Sequence, residues 1–211
     1  MPASQHGEVP ASGADIESAV PRKRADARRN EQTLLAAAAA VFVTDGVDAP
    51  VRDIAKAAGV GMGTIYRHFP TRADLIIAVY RHQVEACADA GPALLASSAT
   101  PYAALRQWVD MFVDFLVTKH GLAGTLQSGD TRSGPLHAYF LDRLRPVVAA
   151  LVEAAAAAGQ IRGDVDPFGF LYAVGNLCAG DTSNPHYDAR AMVHLLVAGL
   201  AARPQAQPAG G

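Results

Sequence analysis

The run from Val51 to Leu75, VRDIAKAAGVGMGTIYRHFPTRADL, limits the possible folds more than any other stretch, because glycine and proline cut it into two short helices. In the first, Ile54, Ala55 and Ala58 fall on one side and Arg52, Asp53 and Lys56 turn outward, the pattern of a helix that packs inward and shows water a charged face. Gly59-Val60-Gly61 permits a tight turn with positive φ, and Val60 is the apolar plug that pins the turn to the core. The second helix, about Met62 to Phe69, is too short to be stable alone and sends only Ile65 and Phe69 clearly inward. Gly63, Thr64, Tyr66, Arg67 and His68 are then free for another job, and they are the side chains that meet phosphates and base edges in a DNA major groove. Pro70 stops this helix, and Thr71 with Asp74 has capping-box spacing for a new one. Arg72 falls in that helix's first turn, where the helix dipole disfavours cations, so an external anion such as a DNA phosphate is expected beside it.

Gly59-Val60, Gly63-Thr64, Tyr66, His68-Phe69 and Leu75, with a long helix before and after them, resemble the DNA-binding domain of the TetR family of bacterial repressors. The resemblance implies that Arg52 contacts a base or phosphate, that Met62, Gly63 and Thr64 face bases or phosphates, and that Tyr66 and His68 hold the DNA backbone. Arg72 fills a slot that is frequently lysine. Pro50 and Val51 depart from the family pattern, which has Ser or Thr there, so a hydroxyl cap and its phosphate contact are expected to be missing. Arg67 is a candidate contact from its exposed position alone.

The charge distribution agrees with a nucleic-acid partner for this part of the chain. From Pro21 to Tyr80 there are nine Lys/Arg against six Asp/Glu, whereas residues 81 to 211 carry nine against eleven. Pro21-Arg22-Lys23-Arg24, followed by Arg28 and Arg29, is a basic arm, and Arg28 and Arg29 lie close enough to the head to touch DNA. Residues 1 to about 20 lack apolar periodicity and are expected to be disordered. No run of about 18 uncharged apolar residues is present and the N-terminus is polar, so a membrane span and a signal peptide are not expected and the protein is expected to be cytoplasmic. Cys87 and Cys178 have no metal-type spacing and read as two reduced, buried thiols.

The divisions are thus a disordered basic tail over 1–24, a helix-turn-helix head over 25–72, an effector-binding and dimerising body over 73–203, and a disordered tail over 204–211. The head's supporting helix is expected from about Ala27 to Thr44, and a connector from Thr71 to about Asp89 with Leu75, Val79, His82 and Ala86 on one stripe. Gly91-Pro92 and Ser97 to Pro101 read as turns. The next helix, to Lys119, has an aromatic face, and Trp108, Met111, Phe112 and Phe115 there suit an apolar or aromatic ligand. A short helix over 121–127 and a polar loop over 128–134 precede a long helix from Pro135 to Ala158, kinked at Pro146, which adds His137, Phe140 and Leu144 to that lining. Asp110 and Asp114 read as solvated, and no nucleophile-base pair, phosphate loop, metal site or cofactor motif is discernible, so enzyme activity is not expected.

The last two helices, the second from Asp188 to Ala202, are apolar nearly all round and need a cover. Phe168, Leu171, Tyr172, Gly175, Met192, Leu195, Leu196 and Gly199 are the expected contacts across a homodimer twofold, with small residues for close approach. The whole reads as an all-α protein. Its expected function is regulation of transcription, most simply repression, on a near-palindromic double-stranded operator, with release by a small-molecule effector. Two alternatives stand beside it: a ligand-independent or redox-gated DNA-binding regulator, and a helical binding protein or enzyme with a vestigial head.

Overall fold

The computed structural model describes residues 14–123, 134–179, 184 and 186–201, with side chains for 27–116, 134–179, 184 and 186–201. Among them run eight helices: α1 (Ala14–Asp45), α2 (Val51–Ala58), α3 (Met62–His68), α4 (Arg72–Ser97), α5 (Pro101–Ala123), α6 (Pro135–Ala157), α7 (Pro167–Cys178) and α8 (Ala189–Ala198). The fold is all-α, with an N-terminal helix-turn-helix bundle and a helical body. No helix of the described residues is long and apolar enough to cross a membrane.

The head is α1, α2, α3 and the start of α4. Leu34, Leu35, Ala38 and Phe42 of α1 bury against Ile54 and Ala55 of α2, Ile65 of α3 and Leu75 and Ile76 of α4. The apolar core continues without a break into the body through Val79, Tyr80 and Val84, so the division at residue 72 cuts across one packed interior. α1 begins at Ala14, earlier than the expected Ala27. Its first residues are mostly Ala, Glu, Lys and Arg, strong helix formers that outweigh the single Pro21.

The connector departs most from expectation. Gly91-Pro92 lies inside α4, which continues to Ser97 before turning at Ser98 to Thr100. Pro92 forfeits only its own hydrogen bond, to the Ala88 carbonyl. Neighbouring helices pack tightly around this point: the Trp108 indole N–H donates to the adjacent Cys87 carbonyl at 2.8 Å, and α6 presses close at Gly91. A Cβ at Gly91 would sit 2.3 Å from Val147 Cγ1. Because α4 packs on both α5 and α6, its buried face is wider than a single stripe: Tyr80, Val84, Cys87 and Ala88 join Leu75 and Val79, His82 is half-buried and Ala86 is exposed.

α5 runs four residues beyond Lys119, to Ala123; most of the expected short helix over 121–127, the loop over 128–134 and the tail from residue 204 lie outside the described residues. α6 passes through Pro146 as expected and closes at Gly159, whose φ of 68° lets the Gln160 N–H reach the Ala155 carbonyl at 3.0 Å. α8 stops at Ala198 instead of Ala202. The chain then pairs with the segment after α6, the Arg162 N–H donating to the Leu200 carbonyl at 2.9 Å, which satisfies backbone that another helical turn would have used.

Gly91→Ala is expected to destabilise the protein by about 1–3 kcal/mol in chemical denaturation, the usual penalty of an overpacked core. Adding Val147→Ala, which removes the clashing methyl, is expected to recover part of that loss, a coupling that two unrelated sites would lack.

Candidate functional site

α2 has no side-chain cap at Pro50, as its missing hydroxyl implies. Its C-terminus is closed by a Schellman turn: Gly59, at φ 67°, donates to the Lys56 carbonyl at 3.2 Å, and Val60 N–H reaches back to the Ala55 carbonyl at 3.0 Å. That turn aims α3 away from α2. Ile65 and Phe69 are buried under it, so the opposite face is presented to solvent: Met62 and Tyr66 are each 50% exposed, Gly63, Arg67 and His68 are exposed, and Thr64 is half-buried. An exposed methionine and tyrosine on a seven-residue helix contribute nothing to the core. Arg52 is exposed at the start of α2, 3.6 Å from the Asp53 carboxylate, and Lys56 is exposed one turn on. Arg28 and Arg29 are exposed on α1.

Arg72 has a different position from the one its helix-terminal location suggests. The Thr71–Asp74 capping box forms as expected, Asp74 N–H to Thr71 Oγ1 at 3.1 Å and Thr71 N–H to Asp74 Oδ2 at 3.0 Å. The Arg72 guanidinium, however, turns back into the protein and donates to the Val47 carbonyl and, at 2.8 Å, to the Ala49 carbonyl. Those carbonyls of the α1–α2 loop supply the negative end that the cation requires, so its placement needs no external anion. Only the folded loop brings them there, which is why the sequence pointed outward.

In the body, Trp108, Phe112, Phe115, Phe140 and Leu144 are all buried. Their rings lie against each other: Trp108 to Phe112 at 5.1 Å, Phe112 to Phe140 at 5.9 Å, Phe115 to Phe140 at 5.9 Å, with His137 stacked on Phe140 at 5.6 Å. Met111 stands apart, 39% exposed on the outer side of α5. A cavity of about 590 Å³ lies elsewhere, between α5 and α8, with Tyr102, Arg106, Val109, Asp110, His194 and Leu195 on its walls. Its residues come from two helices far apart in sequence, and no periodicity within either helix could have signalled it.

Asp114 is exposed and Asp110 half-buried, as solvated carboxylates, and both also pair with α8. Arg190 of α8 donates to Asp114, and the His194 Nε2 lies 2.7 Å from Asp110. Among the expected dimer residues, Leu171 is buried within the chain, Phe168, Gly175, Met192 and Leu196 are half-buried, and Tyr172, Leu195 and Gly199 are exposed, Leu195 by 65%. Phe168 and Tyr172 make an edge-on ring contact at 4.8 Å, with Arg145 over the Phe168 face at 4.4 Å. Both cysteines are buried and free; burial pushes the Cys87 thiol up to about 12 and the Cys178 thiol up to about 11. No cluster of three or more metal-ligating side chains occurs among the described residues.

The sequence model for bacterial regulatory proteins of the tetR family matches residues 34–79, and that for the SbtR-like transcriptional regulator C-terminal domain matches 100–202. A solved TetR transcriptional regulator from Streptomyces coelicolor is 36% identical, with a TM-score of 0.69, over 82% of this chain and 99% of its own. Another, from Mycobacterium vanbaalenii, is 30% identical with a TM-score of 0.63 over 84% and 98%. The chain belongs to the TetR family of bacterial transcriptional regulators. Its fold is that of non-catalytic regulators. An HTH-type transcriptional regulator of Staphylococcus aureus is 26% identical over 52% of this chain, a match that spans 60% of that relative's length.

Arg72→Ala is expected to lower stability by about 1–3 kcal/mol, because two loop carbonyls lose a charged donor. Tyr66→Ala is expected to stay within about 0.5 kcal/mol of the parent, as a surface change does. Thermal melts of the two variants check this contrast.

Proposed function

We propose that the protein is a homodimeric, effector-responsive transcriptional repressor that acts in the cytoplasm on a near-palindromic DNA operator. One observation carries the DNA-binding part: α3 exposes Met62, Gly63, Tyr66, Arg67 and His68 on a helix whose only buried anchor is Ile65, with Arg52 beside it. Large apolar and aromatic side chains held in water by a rigid turn are suited to base edges and sugar-phosphate backbone. Arg28 and Arg29 add phosphate attraction, and Thr64 a hydroxyl. Arg72 acts in this reading by fixing the loop that sets the angle of α2, with any phosphate contact secondary.

Dimerisation is supported by the exposed Tyr172 and Leu195 and the half-buried Phe168, Met192 and Leu196 on the last two helices, with Gly175 and Gly199 allowing close approach. Two heads related by a twofold axis would meet successive major grooves about 34 Å apart. The effector site of this proposal is the aromatic cluster of Trp108, Phe112, Phe115, His137, Phe140 and Leu144, with Met111 at its margin, for an apolar or aromatic molecule. An effector that favours one spacing of the heads weakens DNA binding, and DNA weakens effector binding by the same factor.

Thr64→Ala and Tyr66→Ala are each expected to weaken binding to operator DNA at least tenfold at fixed salt while leaving the salt-dependent nonspecific component in place. Electrophoretic shifts on fragments found by random-sequence selection measure this; equal affinity of parent and variants for the selected sequence would sink the assignment of α3 as the reading helix.

Redox gating is disfavoured by the thiols themselves. At neutral pH both are protonated, and the thiolate is the reactive form. In the native protein neither cysteine is expected to react with an aromatic disulfide reagent within the time that the unfolded protein takes to react fully, and diamide is expected to leave DNA affinity unchanged.

A further inference from the structure

We propose that Gly63 is a specificity-determining residue: a notch at the centre of the outward face of α3 that receives the C5-methyl group of one thymine in each operator half-site. The inference rests on α3 being the helix that meets the major groove, and it names the base group that this helix selects. The other glycines nearby have reasons within the fold. Gly59 is held at a φ of 67°, and Gly61 stands at the N-cap, where glycine is common. Gly63 lies inside α3, is not among the glycines of positive φ, and a Cβ built there has no atom of the chain within 4 Å. After proline, glycine is the residue least suited to a helix interior, and α3 has only seven residues. The fold would accept alanine, so the missing side chain serves a close approach from outside.

Ile65 is the buried anchor of α3, and residues two positions before and after it fall on the opposite face, so Gly63 and Arg67 mark the centre of the outward surface. Met62 and Tyr66, each 50% exposed, flank them on one side, and Thr64 and His68 on the other. The result is a depression one side chain deep with a thioether and a phenol ring on its rim. Of the base edges in the major groove, only thymine offers an apolar projection, its C5-methyl. That methyl fits the depression and buries against Met62 and Tyr66. Cytosine in its place lacks the methyl and presents an N4 donor to a helix that carries no carboxylate. The contact is one of shape and hydrophobic burial and requires neither a charge nor a backbone donor.

The test uses the intact protein and an operator obtained with it by random-sequence selection. Each thymine of the half-site is replaced in turn by 2′-deoxyuridine, which lacks only the C5-methyl, and affinities of parent and Gly63→Ala are measured by electrophoretic shift at fixed salt. At one thymine position the parent is expected to lose about fourfold per methyl removed. Gly63→Ala is expected to bind the thymine operator about tenfold more weakly and to prefer the deoxyuridine operator, because the alanine methyl occupies the space of the lost one. It is expected to melt at or above the parent's temperature. No deoxyuridine penalty at any thymine, a penalty unchanged by Gly63→Ala, parental affinity of Gly63→Ala for the thymine operator, or a melting temperature well below the parent's would each overturn the proposal. Any of these with selective binding still lost in Tyr66→Ala overturns the thymine notch alone, whereas absence of all sequence-selective binding by the parent overturns the regulator reading as well.

Discussion

The capture of the Val47 and Ala49 carbonyls by Arg72 is the interaction on which the relation of head to body depends. α4 belongs to both parts: its first turn is capped by Thr71 and Asp74 and fastened to the α1–α2 loop, while its second half is pressed between α5 and α6. On the effector-gated proposal, a helix held at one end by a guanidinium and at the other by close packing would convert a tilt in the body into displacement of α2 and α3. The points that hold the far end are specific. Gly91 admits Val147, and Trp108 donates to the Cys87 carbonyl next to the bond that Pro92 gives up. Across the surface, Arg143 grips Glu85 with two hydrogen bonds, at 2.8 and 2.5 Å, and Tyr139 donates to the same carboxylate. The Arg143 hydrogen bonds hold the Glu85 carboxyl below the usual carboxylate range. These contacts tie α6 to α4 near Glu85.

The head was readable from sequence because its determinants are local. Gly59 needs a positive φ for a turn that closes on Ala55 and Lys56, Thr71 and Asp74 cap each other across three residues, and Ile65 and Phe69 follow helical spacing. The body's element order was readable from the same periodicities, but its contacts were not. Gly91-Pro92 looks like a turn unless the methyl of Val147 and the indole of Trp108 are already in view. Asp110 and Asp114 look solvated on α5 alone, and acquire partners only when α8 lies alongside. Arg72 illustrates the same limit: a cation at a helix N-terminus signals a nearby negative group, and the sequence cannot say whether that group is a DNA phosphate or the chain's own carbonyls.

The aromatic cluster bears on how an effector would act. Trp108, Phe112, Phe115 and Phe140 already touch one another, and interiors of this density accept extra atoms only by shifting rotamers and helices. A ligand entering among these rings must push α5 from α6 or displace Phe140. That cost is also the source of coupling. Trp108 cannot move without carrying or breaking its hydrogen bond to Cys87 on α4, so a ligand that repacks the cluster acts directly on the connector. A ligand that filled an existing void without disturbing Trp108 would have similar affinity for both arrangements of the heads, and tight binding alone would then shift nothing. On the effector-gated proposal, the dense packing of the cluster is the feature that links binding to the position of α4.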